Sequence, residues 1–278
     1  MSHAAAPQFA LPRSDQSERS RYPRVFSKLS RFLARTLVTK KLPMTNTKPL
    51  VTFTFDDASA SACSSGAMLL ERYKARATYY ISGAGCGMAG YCGPLATTEQ
   101  VKTLWLKGHE IGCHTYSHTD VASVSYNVLA AELDRNRSFL QSIHRDMIIR
   151  NFAYPYGELS FGTKRYLEGR FDSCRSLRPG VNVGTADLGA LKTSELQNAS
   201  IDHQGVAQIV AETVRRNGWL VFTSHDVDHE PSRFGVSPDL LAFALKTACE
   251  AGCHLVTVAD ALQILSGAVA YPGNDDCG

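Results

Sequence analysis

The 278-residue sequence predicts an α/β fold, a (β/α) barrel of about seven mostly parallel strands, from three observations. From residue 49 onward, short β-rich runs alternate with amphipathic stretches of helical period. Four of those runs end in polar clusters, as expected where parallel strands share one carboxyl face. With 44% hydrophobic residues and only 20% charged, the chain can also bury one large core.

Taken in order, strands are expected at 51–55, 77–82, 110–113, 148–153, 171–175, 219–223 and 254–258, one short of an eight-stranded barrel. Helices are expected at 67–74, 98–107, 124–143, 206–216 and 238–250. In the third of these, Val128, Leu129, Leu133, Leu140 and Ile143 recur at helical spacing. The last begins with Ser237 as N-cap and Pro238 in the first turn, and Gly252 stops it. Trp105 on a helix and Trp219 on a strand read as core residues.

Residues 49–265 form the expected main folded domain, with a C-terminal tail at 266–278. Residues 1–48 look separate. Positions 1–43 carry nine Lys or Arg and two acidic residues, against a formal charge of +3 for the whole chain. The body is therefore mildly acidic and offers no electrostatic case for nucleic acid. The stretch 24–41 has an apolar side at helical spacing, which fits a membrane-surface helix; the plainer expectation is a disordered extension. No apolar run of ~7–15 residues with a cleavage site and no spanning segment is present, so a cytoplasmic location is expected. Most of the eight cysteines read as buried apolar residues or free thiols, with Cys86 and Cys92 able to bridge under oxidation. Cys249 and Cys253 lack a partner pair for a zinc site.

The chemistry collects in Asp56-Asp57, His114…His118, Tyr154-Pro-Tyr-Gly157 and Ser224-His-Asp226. Two adjacent carboxylates at a strand end repel each other, which a bound cation or a catalytic task would explain. Asp57 alone could equally cap the next helix. Two histidines four residues apart can grip one metal ion. Tyr-Pro-Tyr-Gly by itself is ordinary turn chemistry. Ser224, His225 and Asp226 cannot form a triad, because neighbours on one strand face opposite sides. Convergence of the four clusters on one barrel face is what favours a metal-dependent hydrolase.

In their order, Thr54-Phe-Asp-Asp57, His114-Thr-Tyr-Ser-His118, Tyr154-Pro-Tyr-Gly157 and Ser224-His225-Asp226 resemble the motifs of the polysaccharide deacetylase family, also called the NodB-homology domain or carbohydrate esterase family 4. The resemblance spans residues 49–265 and implies a distorted (β/α) barrel. It further implies that Asp57, His114 and His118 hold one divalent metal, with zinc, cobalt and nickel as candidates. Asp56 would be the general base, His225 the general acid, and the backbone N–H of Tyr156 an oxyanion donor. The implied activity is removal of N-acetyl groups from N-acetylated amino sugars in an oligo- or polysaccharide, such as a chito-oligosaccharide, releasing acetate.

Two departures stand out. The position of the family's usual third-motif arginine is Ala153, and no aspartate followed two residues later by tryptophan appears after residue 175. Arg178 is the expected substitute, supplying the missing positive charge from another strand. The loop 83–93 with Tyr91 and the segment 183–198 are expected to form the substrate rim. Two other readings stay open: a hydrolase of small linear or cyclic amides, as in allantoinase-like relatives, and a non-catalytic sugar-binding barrel.

Overall fold

A computed structural model describes residues 24–268. In chain order its strands are β1 (Lys41–Pro43), β2 (Leu50–Asp56), β3 (Thr78–Ile81), β4 (Ala89–Gly90), β5 (Gly93–Pro94), β6 (Glu110–Cys113), β7 (Asn151–Ala153), β8 (Ser173–Pro179), β9 (Thr185–Asp187), β10 (Leu191–Glu195), β11 (Trp219–Ser224) and β12 (His254–Leu255). Its helices are α1 (Arg24–Thr36), α2 (Ala67–Arg72), α3 (Thr98–Leu106), α4 (Tyr126–Ile143), α5 (Phe161–Glu168), α6 (His203–Arg215), α7 (Pro238–Glu250) and α8 (Val258–Leu265). Strands β2, β3, β6, β7, β8, β10 and β11 pair in that sequence, all parallel, and β11 closes the ring on β2.

The expected number of barrel strands is therefore met, with one exchange of membership. The run at 254–258 gives only the two-residue β12, which pairs with β2 outside the ring. The seventh ring strand is β10, inside the 183–198 segment that reads as substrate rim. Its sequence Leu-Lys-Thr-Ser-Glu has one large apolar residue, so it lacks the hydrophobic signature of a buried strand.

Alternation along the strands separates two packing layers. Val51, Phe53 and Phe55 of β2 and Leu220 and Phe222 of β11 belong to the outer core, together with Leu70 of α2 and Leu241 and Leu245 of α7. Leu50, Leu191, Trp219 and Val221 form a smaller cluster with Val258, Ala261 and Leu265 of α8, the floor of the barrel. Above the floor the lumen turns polar. The Trp219 indole N–H donates to Thr52 Oγ1 at 2.9 Å, Thr54 Oγ1 donates to the Phe222 carbonyl at 2.8 Å, and Asp56 ends the same row. The polar mouth thus lies at the carboxyl end of the strands.

Capping fixes the helices. Ser237 Oγ accepts from the Leu240 N–H at 3.2 Å ahead of Pro238, and Gly252 follows α7 at φ 72°. Thr97 and Gln100 form a capping box on α3. Trp219 is buried as expected. Trp105 is only partly buried, its ring 4.1 Å from that of His144.

The N-terminal segment departs from the disordered extension expected for 1–48. From residue 24 it is docked: α1 lies beside α5, β1 pairs antiparallel with β9, and Leu42 and Met44 pack under the barrel floor. Lys164 of α5, fully buried, explains much of this. Its ammonium donates to the Ala34 and Leu37 carbonyls at 3.1 and 2.5 Å and pairs with Asp187 at 2.6 Å. The Ala34 carbonyl in the last turn of α1 and the Leu37 carbonyl just beyond it thereby gain the cation that a helix C-terminus favours. Residues 1–23, and the expected tail from 269 on, lie outside the described residues.

Candidate active site

At the end of β2 the chain turns abruptly, with Asp57 and Ala58 at φ 55° and 42°. Thr115, His118 and Tyr156 adopt φ 59°, 53° and 59° in the loops after β6 and β7. Side chains with a Cβ are strained in this left-handed region, and such strain gathers where surrounding structure over-determines it. All five residues stand at the barrel mouth.

Asp57, His114 and His118 are brought together there. Each offers one ligand atom, all lying within 4.8 Å of one another, and all three residues are buried. His114 Nδ1 is 2.9 Å from the Ala153 carbonyl, which can only accept, so that nitrogen carries the proton and Nε2 is free to ligate. Burial, the largest cause, pushes the His114 pKa down to about 4 and keeps the ring neutral, as a ligand must be. Asp57 Oδ1 and His118 Nδ1 are buried with no partner among the described residues. One carboxylate and two imidazoles with such orphaned atoms fit a divalent cation and leave further positions open.

Asp56, the last residue of β2, is buried beside them. Its Oδ1 accepts a hydrogen bond from Nη2 of Arg175, a wholly buried arginine on β8. Burial pushes the Asp56 pKa up, but the Arg175 guanidinium, with the nearby His114 and His225 rings, outweighs it and holds the carboxyl below its ordinary range. Asp57 is likewise held low, burial being opposed by His118, His114, His225 and the Tyr91 hydroxyl.

The arginine is not the one expected from sequence. Arg178 is half-buried, with its backbone N–H on Ser176 Oγ at 3.3 Å. It lies beyond Arg175 on the same strand, within a register irregularity against β10, and it is Arg175 that pairs with Asp56. The register supplies the missing reason: Ala153 on β7 is the direct partner of Arg175 on β8. The positive charge has moved one strand sideways at the same height. Gly112 makes room for this, because a Cβ there would lie 2.5 Å from the ring of Tyr80, against which the Arg175 guanidinium packs at 5.3 Å.

His225 follows β11, with Nδ1 buried and unpartnered among the described residues. Asp226 does not serve it: its carboxylate accepts from the Ser232 N–H at 2.9 Å and hydroxyl at 2.6 Å, and a Cβ on Gly235 would collide with it. Asp228 caps the Glu230 N–H at 3.2 Å instead. Tyr156 is 46% exposed, its ring edge-on to His118 at 4.4 Å, which sets its backbone beside the ligand cluster.

From sequence, Tyr91 reads only as a rim residue. It rises from the β4–β5 hairpin, donates from its hydroxyl to Asp57 Oδ2 at 2.9 Å and packs edge-on against His225 and Phe234 at 5.9 and 5.6 Å. No local pattern marks a loop tyrosine for such a contact. Arg175 was in principle visible, as the last residue of an expected strand. Cys86 and Cys92 carry free thiols, so no bridge links them in that loop.

The sequence matches the family described as polysaccharide deacetylase over residues 44–168. A bifunctional xylanase/deacetylase of Pseudobutyrivibrio xylanivorans is 25% identical over 112 residues, 40% of this chain and 17% of that protein's length. Among solved structures, a family 4 acetyl xylan esterase from Clostridium thermocellum in complex with a cobalt ion superposes with a TM-score of 0.57 at 22% identity, covering 78% of this chain and 92% of that one. The chitin deacetylase of Colletotrichum lindemuthianum gives 0.56 at 18% identity, with 81% and 92% covered. A family 4 carbohydrate esterase from Bacillus anthracis gives 0.56 at 14% identity, with 88% and 95% covered. The ordered motifs and the closed seven-strand ring agree with that match, which makes residues 44–168 similar to the polysaccharide deacetylase family.

Proposed function

We propose that the protein is a metal-dependent carbohydrate N-deacetylase, hydrolysing the acetamide of an N-acetylated amino sugar in an oligo- or polysaccharide to acetate and a free amine. The observation that carries it is the pairing of a three-ligand cluster, Asp57, His114 and His118, with a separate ionised carboxylate, Asp56, beside it. A divalent ion held there would polarise the acetamide carbonyl and lower the pKa of a water. Zinc, cobalt and nickel all suit two imidazoles and a carboxylate.

The remaining steps fall to the chain's own groups. Asp56, fixed by Arg175, takes the proton as water adds to the carbonyl carbon. The backbone N–H of Tyr156 donates to the developing oxyanion. As the carbon–nitrogen bond breaks, His225 protonates the departing amine, which is otherwise a poor leaving group. The absent third-motif arginine and the absent aspartate–tryptophan motif both keep a small-amide hydrolase open. Arg175 answers the first of these, since a positive charge pairs with Asp56. An orienting function for Arg175 in place of Arg178 belongs to this reading.

The test is acetate release from N-acetylglucosamine oligomers by metal-stripped protein, with zinc, cobalt or nickel restored. Release should return with metal and fall on the order of 10²–10⁴-fold in Asp56→Asn, which keeps the metal. A near wild-type rate in Asp56→Asn would remove Asp56 from the chemistry, and failure to bind any metal would undo the site.

A further inference from the structure

Among the described side chains of helix α1, Ser30 and Ala34 face the body, while Leu29 and Phe32 face outward. Ser30 Oγ accepts the Phe161 N–H at 3.0 Å, and Ala34 is fully buried beside Lys164. One turn apart on another face, Leu29 and Phe32 are 51% and 62% exposed. Beyond the helix, Leu37 and Val38 are exposed as well. Along the flank, Lys28, Arg31 and Arg35 follow at spacings of three and four residues, all exposed. The helix contains no acidic residue. Glu158 faces this flank, 3.5 Å from Arg31 and 3.8 Å from Arg35, and one carboxylate leaves the stripe net positive.

A surface helix of a globular protein buries its apolar side. Here Leu29 and Phe32 are presented to solvent next to a basic stripe, which is the composition of helices that lie in a lipid interface. The placement agrees. Ser30 meets the first residue of α5, and α5 starts soon after the turn that carries Tyr156, so the N-terminal half of α1 stands at the end of the barrel that holds the site.

We infer that α1 docks the protein on an anionic lipid surface, with Leu29 and Phe32 entering the headgroup boundary and Lys28, Arg31 and Arg35 contacting lipid phosphates. This is lying on a membrane, not spanning it: among the described residues no helix is long and apolar enough to cross one. Two large side chains and three cations give reversible attachment that weakens with salt. The inference does not depend on the catalytic reading.

Flotation of the full chain tests it, on vesicles of mixed phosphatidylglycerol and phosphatidylcholine against vesicles of phosphatidylcholine alone. The protein should float with the anionic vesicles, less so in raised salt, and not with the neutral ones. Leu29→Ser with Phe32→Ser should weaken partitioning on the order of tenfold or more. Lys28→Gln with Arg31→Gln should erase the preference for anionic lipid. Unchanged melting midpoints serve as the fold control for both variants, so the result stands apart from deacetylase activity. Absence of wild-type flotation, equal flotation on both vesicle types, or indifference to Leu29→Ser with Phe32→Ser overturns the inference. So does a wild-type dimer that the same double variant converts to monomer without any vesicle binding, which would give the face to a second copy.

Discussion

At the scale of single residues, Arg175 decides what Asp56 can do. Burial alone would push the Asp56 pKa up and leave a poor base, and Arg175 is the largest of the charges that reverse this. Arg175→Gln should therefore raise that pKa. The acidic limb of the pH–rate profile then moves to higher pH, and turnover at neutral pH falls on the order of a hundredfold with metal retained. Arg175→Lys should restore the limb toward its original position, though not the full rate, because an ammonium lacks the planar fork. An acidic limb unmoved in Arg175→Gln would show that the ion pair is structural only. Tyr91 poses a second question, since its hydroxyl donates to a carboxylate placed to ligate a cation. Tyr91→Phe should weaken metal affinity on the order of tenfold in a chelator competition, as loss of groups orienting a ligand does. Equal affinity in the two proteins would return Tyr91 to the rim. The pairs Asp56–Asp57 and His114–His118 are legible in sequence because each sits within one short motif. Arg175 stands at the end of an expected strand, but its link to Asp56 needs the Ala153–Arg175 register across two strands.

At the scale of elements, runs of apolar β-formers and capped amphipathic helices were readable, whereas elements held by tertiary bonds were not. β10 is polar in sequence and becomes a ring strand because Thr193 Oγ1 donates to the Val221 carbonyl at 2.7 Å inside the lumen. α1 reads as a detachable basic segment, yet its C-terminal carbonyls are bound by Lys164, which lies on α5, a helix not expected from sequence. That contact gives a prediction for the element. Lys164→Met leaves Asp187 buried without its cation and the Ala34 and Leu37 carbonyls without their donor. The expected loss is about 3–5 kcal/mol in urea unfolding, with new protease cleavage within residues 24–48. Adding Asp187→Asn should recover part of the stability, since it removes the unpaired charge. Single and double variants of equal stability would show that the pair is not coupled.

At the scale of the whole molecule, stability should follow two buried histidines that the fold keeps neutral. His109 is packed edge-on against Tyr79, and its Nδ1 accepts the Ala77 N–H at 3.1 Å while Nε2 faces Glu71 at 3.3 Å. A proton on Nδ1 would break the Ala77 bond. Burial is the largest cause lowering the His109 pKa to about 4, and His114 is lowered to about 4 for the same reason. An unfolded histidine titrates near the usual 6.5, so between about pH 6.5 and 4 the unfolded chain binds protons that the folded chain refuses. Their stabilising contribution is thus fully present above about pH 6.5 and is lost as pH falls toward 4, on the order of 3 kcal/mol per histidine. In metal-free protein both groups should contribute to the slope. Asn at position 109 keeps an acceptor for Ala77 but does not titrate. His109→Asn should therefore remove about half of the acid-side decline measured by urea unfolding across that range. If the decline is as steep in His109→Asn as in the wild-type protein, the acid sensitivity belongs to other groups, and the neutral His109 of the barrel wall plays no part in it.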